Sequence, residues 1–564
     1  MRKILPAILA VLIVSCNSVK KPEEQAPVIP ALKSAPFSRG VNFSGWFESN
    51  AAGAIPFTKY TEQDFIDVKS LGADVIRLPV KMHSMTGGPP DYKLDPLLLE
   101  FLDTAVDWAE KHGIYLIIDN HSFDPVLATS PDISRILIPV WRQIAQRYKN
   151  RSDFIIYEIL NEPHGIADSL WGEIQEQAVA EIRKIDANRL IIVGGTDYNS
   201  INKLSAIPKY QYENIIYTFH FYDPYLFTHQ GATWGGAPLL TNLANLPFPG
   251  ELKKMPGLPS DLKGTWVESS LQNTYLYDAS YNALSRTLDK AVMFSLERDA
   301  PVFCGEFGVL MKNSKNEDRV RWYEYVTKAL DSRNISRTSW DYYGSFGVFN
   351  SDNGNFNHDL NVDVVRAMGF TPPVQIKRVL QAVKEGFTIY DDYPGKMVKS
   401  AGYWGDECVF SLYDTYAAQG KYSIRWGNMS QYNTFHFDFD SSIWDFTHLV
   451  NNGYYLEFKA RAEKNVKFDV RFLNEESAVS IPWRIRFTVD ESVLAPDGRW
   501  HTIRIPLADM KVHGAWVNAS QTWYAPEVNS YSWKNTARLE FTSEYSDLKG
   551  IDIRIDDIKI SSER

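Results

Sequence analysis

The sequence predicts an α/β protein whose (β/α)8 TIM barrel is followed by an all-β jelly-roll sandwich. Between residues 37 and 372, short β-branched runs alternate with longer helical patterns, which is typical of βα units around a parallel sheet. Eight such runs can be counted, the number that closes a barrel. Beyond residue 387 the helical patterns stop, and period-two strands separated by turn residues indicate a sandwich.

The predicted barrel strands are bounded by recognisable helix signals. Asp95 followed by Pro96 predicts the start of a helix that ends at Gly113, and Thr61 with Asp64 resembles a capping box. The run 154–160 is nearly unbroken and apolar, as expected of a strand covered on both faces. The eight predicted strands are 40–43, 73–78, 114–119, 154–160, 190–193, 214–219, 301–305 and 335–339.

Two connecting segments are interpreted separately. Residues 220–281 are rich in Gly, Pro, Asn and aromatics, and a connection of this length is typical of a functional or a disordered loop. Its aromatic content favours order. We interpret it as a wall of the binding cleft with Trp234 and Trp266 as sugar platforms, although packing under the loop explains either tryptophan equally well. An amphipathic pattern predicts a linker helix over 373–386, ahead of a carbohydrate-binding-like sandwich over 387–564.

The N-terminus has the features of an export signal. A basic start and an apolar run from Ile4 to Val14 precede Cys16, and that run is too short to span a bilayer. The end of this segment resembles the lipobox of bacterial lipoproteins, which implies a signal peptide over 1–16, lipid attachment at Cys16 and a tether over 17–36. With Asn17 next, the resemblance implies an outer-membrane lipoprotein on the periplasmic or cell-surface side.

Composition excludes several classes of partner. The formal net charge of -10 argues against nucleic acid and against polyanionic substrates. The 16 Trp, 30 Tyr and 30 Phe are permissive for a carbohydrate protein, since aromatic faces stack on sugar rings. The 3 cysteines form neither a disulfide scaffold nor a metal cluster. We expect a monomer.

Polar residues follow the predicted strands and should meet at one rim of the barrel. A glutamate after an apolar run is by itself usually a solvated strand end. Convergence of an arginine, two histidines, an amide and two carboxylates is better explained by an active site, because barrel stability rests on apolar layers. With the aromatic side chains that also follow these strands, the residues expected at this rim are Trp46, Arg77, His121, Asn161, Glu162, His220, Tyr222, Glu306 and Trp340.

Two facing carboxyl groups suit the cleavage of a glycosidic bond. Their environments split their pKa values, so that one stays ionised while the other holds a proton and serves as an acid. A gap of about 5–5.5 Å between them gives retention, whereas a wider gap admits a water and gives inversion. Spacing along the sequence does not measure this gap.

The motifs Leu160-Asn-Glu-Pro163, Asp119-Asn-His121, His220-Phe-Tyr222 and Gly305-Glu-Phe-Gly308, with Arg77 and Trp340, resemble the family 5 glycoside hydrolases. The resemblance implies Glu162 as acid/base, Glu306 as nucleophile and a retaining mechanism without a cofactor. It also implies that Arg77 and Tyr222 align Glu306, that Asn161 contacts the sugar 2-hydroxyl, that His121 and His220 complete the subsite, and that Trp340 forms its floor. Trp46 and Trp234 are further candidates for sugar contact, and for Trp46 core packing is the alternative.

The expected substrate is a β-linked polysaccharide cleaved internally, with β-1,4-glucan favoured. A β-mannan, a xyloglucan or a β-1,3-glucan fits the same catalytic set, and the alternative class is a non-catalytic surface glycan-binding lipoprotein. In the sandwich, Asp392 and Asp556 are candidates for a structural calcium, with ordinary turn and edge charges as the alternative. Its tryptophans, including Trp404, Trp483, Trp516 and Trp523, are candidates for a glycan groove.

Overall fold

The computed structural model describes residues 32–477 and 480–562. The predicted signal peptide, Cys16 and residues 17–31 of the predicted tether lie outside the described residues. Among the residues that are described, none of the helices combines the length and the apolar character needed to cross a bilayer.

Eight parallel strands close into a barrel, each paired with its neighbours in sequence order and the eighth with the first. This confirms the predicted fold, and the observed strand ends differ from the predicted ones by one or two residues. The barrel strands are β1 Arg39–Asn42, β2 Val75–Val80, β3 Tyr115–Asn120, β4 Ile155–Glu158, β5 Ile191–Gly194, β6 Ile215–Phe221, β7 Val302–Phe307 and β8 Ser336–Ser339.

Two barrel helices begin where the sequence signals place them, and one of the two also ends at its predicted glycine. The Asp95 side chain accepts from the Leu97 backbone N–H at 2.8 Å, and Gly113 ends the same helix with φ 59°. Asp64 accepts from the Thr61 backbone N–H at 2.7 Å. The helices are α1 Glu62–Ser70, α2 Pro96–His112, α3 Ser134–Tyr148, α4 Asp168–Arg183, α5 Tyr225–Thr228, α6 Trp266–Asn273, α7 Tyr275–Asp278, α8 Tyr281–Arg298, α9 Asn316–Ser332 and α10 Val362–Ala367.

The interior of the barrel is apolar at one end and charged at the other. Phe37 covers the amino-terminal end of the strands and packs edge-on against Phe303 at 5.3 Å. Toward the carboxyl ends, charged side chains replace apolar ones, so stability and chemistry are separated along the barrel axis. The apolar layer consists of Val75, Ile117, Ile156, Ile192, Ile216 and Phe303.

The long connection after β6 is ordered, as its aromatic content suggested. It contains α5, α6 and α7 and buries Phe227, Leu243, Phe248 and Tyr275. Buried apolar side chains fix its backbone, so this segment can present residues to the cleft in defined positions.

The predicted linker helix over 373–386 is wrong. This segment is extended, and it forms only the short strand β9 Gln381–Ala382. An amphipathic helix is stable in a protein when its apolar face is covered, but Val374, Ile376 and Val379 are 87%, 61% and 67% exposed. The segment instead bonds to the barrel surface, where the Ile376 backbone N–H donates to the Asn357 carbonyl at 2.8 Å.

The C-terminal domain is a β-sandwich of two seven-stranded antiparallel sheets. Apolar side chains from both sheets form a single core, including Trp426, Phe437, Phe458 and Phe541.

The elements of this domain are β10 Phe387–Asp391, β11 Tyr393–Pro394, β12 Val398–Trp404, β13 Val409–Asp414, β14 Ser423–Met429, β15 Thr434–Phe439, β16 Trp444–Asp445, α11 Thr447–Asn451, β17 Tyr455–Ala462, β18 Phe468–Asn474, β19 Arg484–Val489, β20 His501–Pro506, β21 Lys511–Val517, β22 Thr522–Tyr524, β23 Thr536–Thr542 and β24 Leu548–Ser561. One sheet has the order β11-β10-β24-β14-β13, with β17 beside β24 and β20 beside β17. The other sheet has the order β12-β15-β23-β18-β19-β21-β22.

Glu100 on α2 joins the barrel to the sandwich. Its carboxylate accepts from the Tyr393 hydroxyl at 2.8 Å and from the Tyr422 hydroxyl at 2.9 Å. Phe101 next to it packs edge-on against Tyr413 at 5.0 Å.

Candidate active site

Glu306 lies near the carboxyl end of β7, where two donors hold its carboxylate. Arg77 Nη1 donates to Oε1 at 2.9 Å, and the Tyr222 hydroxyl donates to Oε2 at 2.8 Å. The side chain is 6% exposed. The two contacts fix the orientation of the carboxylate, which is what attack on a bound carbon requires.

Arg77 on β2 is the buried cation around which the polar end of the barrel is assembled. Burial alone would lower the pKa of Arg77, but the charges of Asp119, Glu158 and Glu306 outweigh that effect and raise the pKa well above its ordinary value. Its side chain is 0% exposed and contacts Glu306, which is the position that the family resemblance implies for it. Its guanidinium donates to Glu158 at 2.8 and 2.9 Å, Glu306 at 2.9 Å, Asn161 at 2.8 Å and Asn42 at 3.0 Å.

Glu162 follows β4 in a left-handed backbone conformation, with φ 46°. Its side chain is 15% exposed, so it is reachable from the cleft. Burial raises the pKa of Glu162 to about 7, against the opposing charges of His121 and Arg77. A carboxyl group that keeps its proton near neutral pH can donate that proton to a leaving oxygen.

His220 lies between the two glutamates. Its Nδ1 is 2.7 Å from Glu162 Oε1 and 3.5 Å from Glu306 Oε2. Burial lowers the pKa of His220 to about 4, so the ring is neutral at neutral pH. Asn199 Nδ2 lies 3.4 Å from Nε2, which favours the tautomer with the proton on Nδ1. In that tautomer His220 donates to Glu162.

The two carboxylates face each other at short range. One oxygen of Glu162, one of Glu306 and a ring nitrogen of His220 all lie within 4.8 Å of one another. The same spacing would suit a metal ion, but the Arg77 cation 2.9 Å from Glu306 would repel one. Two carboxyl groups at this distance can act together on one glycosidic bond.

His121 and Trp340 form a second part of the site. Burial alone would lower the pKa of His121, but Asp119 at 2.7 Å from Nδ1 outweighs it, and the pKa is raised to about 9. The charged ring lies parallel to the Trp340 indole, at 5.6 Å and 14°. Asn161 Nδ2 is 3.4 Å from His121 Nε2, and the amide is fully buried, so its contacts are with Arg77 and His121.

The tryptophans proposed as sugar contacts differ in their exposure to solvent. Trp46 is 0% exposed and donates from Nε1 to the Phe57 carbonyl at 2.7 Å, so core packing is correct and sugar contact is wrong. Trp234 is 44% exposed and lies 6.2 Å from Phe346, on the long connection as expected. Trp266 is 47% exposed at the start of α6.

Sequence reasoning assigned no role to Glu158 or to Asp119, the two carboxylates that surround Arg77 together with Glu306. Both lie on barrel strands, with side chains 1% and 0% exposed. Glu158 stands inside the apolar run of β4, and a charge within a fully buried strand was the available signal. Tyr198 was also missed, and no local pattern marks it: it belongs to a turn in which three successive residues have positive φ.

Asp392 and Asp556 use their oxygens for backbone hydrogen bonds. Asp392 Oδ1 accepts from the Lys421 and Tyr422 N–H groups at 2.6 and 2.7 Å, and Asp556 Oδ2 accepts from the Ala418 N–H at 2.7 Å. Over residues 32–477 and 480–562, neither belongs to a cluster of three or more His, Cys, Asp or Glu ligands. Calcium binding by this pair stays a prediction.

A closed βα barrel with two glutamates facing each other at the carboxyl ends of β4 and β7 defines a glycoside hydrolase. The profile of the family described as Cellulase (glycosyl hydrolase family 5) matches residues 35–345. The chain belongs to this family. Because the match ends at residue 345, it bears on the barrel and leaves the sandwich unassigned.

Named relatives agree with the family. Endoglucanase C of Acetivibrio thermocellus is 27% identical, over 57% of this chain and 96% of its own length. Cellodextrinase A of Ruminococcus flavefaciens is 26% identical, over 54% of this chain and 85% of its own. Among solved structures, the cellulose synthase subunit Z of Clostridioides difficile matches with a TM-score of 0.50 at 25% identity, over 59% of this chain and 99% of that one.

The raised pKa of Glu162 predicts the alkaline limit of the activity. If Glu162 must be protonated to release the leaving group, kcat/KM falls as the pH rises through about 7, by tenfold per pH unit beyond it. Glu162→Gln removes the titrating group, so its residual kcat/KM should lose this decline. Initial rates on a β-glucan between pH 5 and 9 measure both profiles, and a wild-type profile that is flat to pH 9 contradicts the prediction.

Proposed function

We propose that this protein is an endo-acting, retaining hydrolase of β-1,4-glucans, with Glu162 as acid/base and Glu306 as nucleophile. The observation that carries the proposal is the approach of the two carboxylates to within 4.8 Å, with the proton-holding group on one side and the Arg77-bound group on the other. A gap of about 5–5.5 Å is associated with retention.

In the first step, a Glu306 oxygen attacks the anomeric carbon while Glu162 transfers its proton to the glycosidic oxygen. The carbon–oxygen bond to the leaving sugar breaks, and a glycosyl-enzyme ester forms. In the second step, ionised Glu162 takes a proton from water, the hydroxide attacks the same carbon, and Glu306 leaves as a carboxylate. The hydrogen bonds from Arg77 and Tyr222 hold Glu306 in place throughout.

Aromatic side chains beside the acid support internal cleavage. Tyr198 and Tyr225 are each 41% exposed, and both lie near enough to Glu162 for its charge to add to the effect of burial in raising their pKa. Trp234 adds a third exposed ring on the same connection as Tyr225. Sugar units on both sides of the cleavage point need such surfaces, whereas an enzyme acting at chain ends needs one closed side.

β-1,4-Glucan is favoured because the relatives are named as endoglucanases and a cellodextrinase. The test measures reducing-end release and viscosity on carboxymethylcellulose, galactomannan, xyloglucan and a β-1,3-glucan, with Glu306→Gln as the matched inactive protein. We expect the wild type to lower the viscosity of carboxymethylcellulose before much sugar is released. Sugar release from galactomannan, xyloglucan or the β-1,3-glucan alone would identify that polysaccharide as the substrate instead of β-1,4-glucan. Equal sugar release by the wild type and the Glu306→Gln protein would contradict the proposed mechanism.

We further propose that the protein is an outer-membrane lipoprotein anchored through Cys16, which rests on the sequence around that residue. A lipid anchor would hold the barrel near the polysaccharide at the cell surface. Cys16→Ala should move the protein from the membrane fraction to the soluble fraction of cells that express it. An unchanged distribution contradicts the anchor without affecting the hydrolase.

A further inference from the structure

One face of the sandwich carries charged residues that are nevertheless buried. In the sheet β12-β15-β23-β18-β19-β21-β22, Phe437, Leu539 and Phe472 point into the core, so the residues between them point outward. The outward row across four strands is His436, Glu540, Arg471 and Arg486 in register. We call this outward side the open face.

Four buried polar atoms on strands of this sheet lack a hydrogen-bond partner in the described residues. Arg471 is 2% exposed, yet its Nε has no hydrogen-bond partner in the described part of the chain. The same holds for Arg484 Nε, His513 Nδ1 and Thr542 Oγ1, all on strands of this sheet. Buried polar atoms are almost always bonded, and a local cluster of exceptions indicates groups that a ligand or its ordered waters would satisfy.

Arg484 and Trp523 stand together at one edge of the open face. The Arg484 guanidinium lies 5.6 Å from the Trp523 ring centroid, and no carboxylate in the described residues lies within 4.0 Å of it. Trp523 is 45% exposed. The ring lies over Gly514, where an added Cβ would come within 2.8 Å of it, so the glycine makes room for the indole. His513 packs edge-on against the ring at 5.3 Å.

The chemistry of the open face suits a neutral, hydroxyl-rich ligand. An exposed indole offers an apolar surface to one face of a sugar ring. Sugar hydroxyls both donate and accept, which matches guanidinium donors beside a carboxylate. Three arginines and three carboxylates on the open face balance in charge, so this face does not select an ion. They are Arg471, Arg484 and Arg486, with Asp469, Glu540 and Glu544.

We propose that the open face binds a neutral β-linked glycan, with a sugar ring stacked on Trp523 and its hydroxyls bonded to Arg484. The identity of the glycan rests on the proposed function, since a site on the same chain would retain the polysaccharide that the barrel cleaves. The site lies on the sandwich, so its binding is measurable when the barrel is inactive.

The test is native electrophoresis of the full chain in gels that contain hydroxyethylcellulose, xyloglucan, galactomannan or polygalacturonate. All proteins carry Glu306→Gln, so that the glycan is not consumed. Trp523→Ala and Arg484→Gln remove the proposed contacts. Tyr416→Ala is the matched control, because this aromatic side chain is 52% exposed and lies beside Arg461 and Arg554 of the other sheet. Thermal unfolding of each variant verifies that it is folded.

We expect Trp523→Ala to weaken retardation in at least one neutral glycan by about tenfold in Kd, with Tyr416→Ala unchanged. Arg484→Gln should weaken retardation in the gel that contains the same glycan. Equal retardation of all four proteins, retardation by polygalacturonate alone, or no retardation in any gel overturns the proposal. Reducing-end release by the wild type is measured separately, so a failed binding site and a failed hydrolase give different results.

Discussion

Glu306→Gly is expected to lower kcat on β-glucan by roughly 10^4-fold or more, the order of loss when a covalent hydrolase loses its nucleophile. Without this carboxylate no glycosyl-enzyme ester forms, while Glu162 and its contact with His220 remain. The variant should fold, because Glu158 and Asp119 still surround the Arg77 charge. Reducing-end assays with a thermal unfolding control measure the effect.

Azide distinguishes a lost nucleophile from a damaged site. The cavity left by Glu306→Gly admits azide, which would attack the anomeric carbon directly and give the glycosyl azide of inverted configuration. Tyr222→Phe is the matched control: it removes one hydrogen bond to Glu306 at 2.8 Å but keeps the carboxylate, so activity should fall much less. A Glu306→Gly protein within tenfold of the wild type would refute the assigned role.

The fold could be predicted because several barrel elements carry local signals in the sequence. Asp95 and Gly113 mark the ends of α2 through backbone geometry that few other residues adopt, and β4 is apolar on both faces. The segment after Pro373 had the same kind of periodic signal but formed no helix. Its apolar side chains are exposed and not packed against a neighbouring element. Whether such a neighbour exists depends on tertiary packing, which local periodicity does not predict.

The site was predictable to the extent that strand ends define it. Glu162 and Glu306 could be placed at one rim because parallel strands deliver their carboxyl ends together. The sequence could not show which side chains reach the cleft, because that depends on how deep each residue lies inside the barrel. Arg77 and Trp46, for example, are both 0% exposed. Pairings across the barrel, such as Arg77 with Glu158, join residues whose proximity follows only from closure.

Glu162→Ala should separate the two chemical steps of the reaction. On β-glucan, loss of the general acid is expected to lower kcat/KM by about 10^2–10^4-fold. A dinitrophenyl cellobioside has a leaving group that needs no proton, so its first step should proceed near the wild-type rate. The second step would lack its base, and the glycosyl-enzyme would accumulate. We therefore expect a burst of dinitrophenol followed by slow turnover.

Azide supplies the decisive contrast with Glu306→Gly. In Glu162→Ala the accumulated ester would be attacked by azide from the face that Glu162 occupied, which restores kcat and gives the glycosyl azide of retained configuration. Opposite configurations from the two variants would place Glu162 and Glu306 on opposite faces of one sugar, as expected for oxygens within 4.8 Å of each other. The same configuration from both, or no burst with Glu162→Ala, would contradict the assignment, because an acid/base and a nucleophile cannot exchange places across the anomeric carbon.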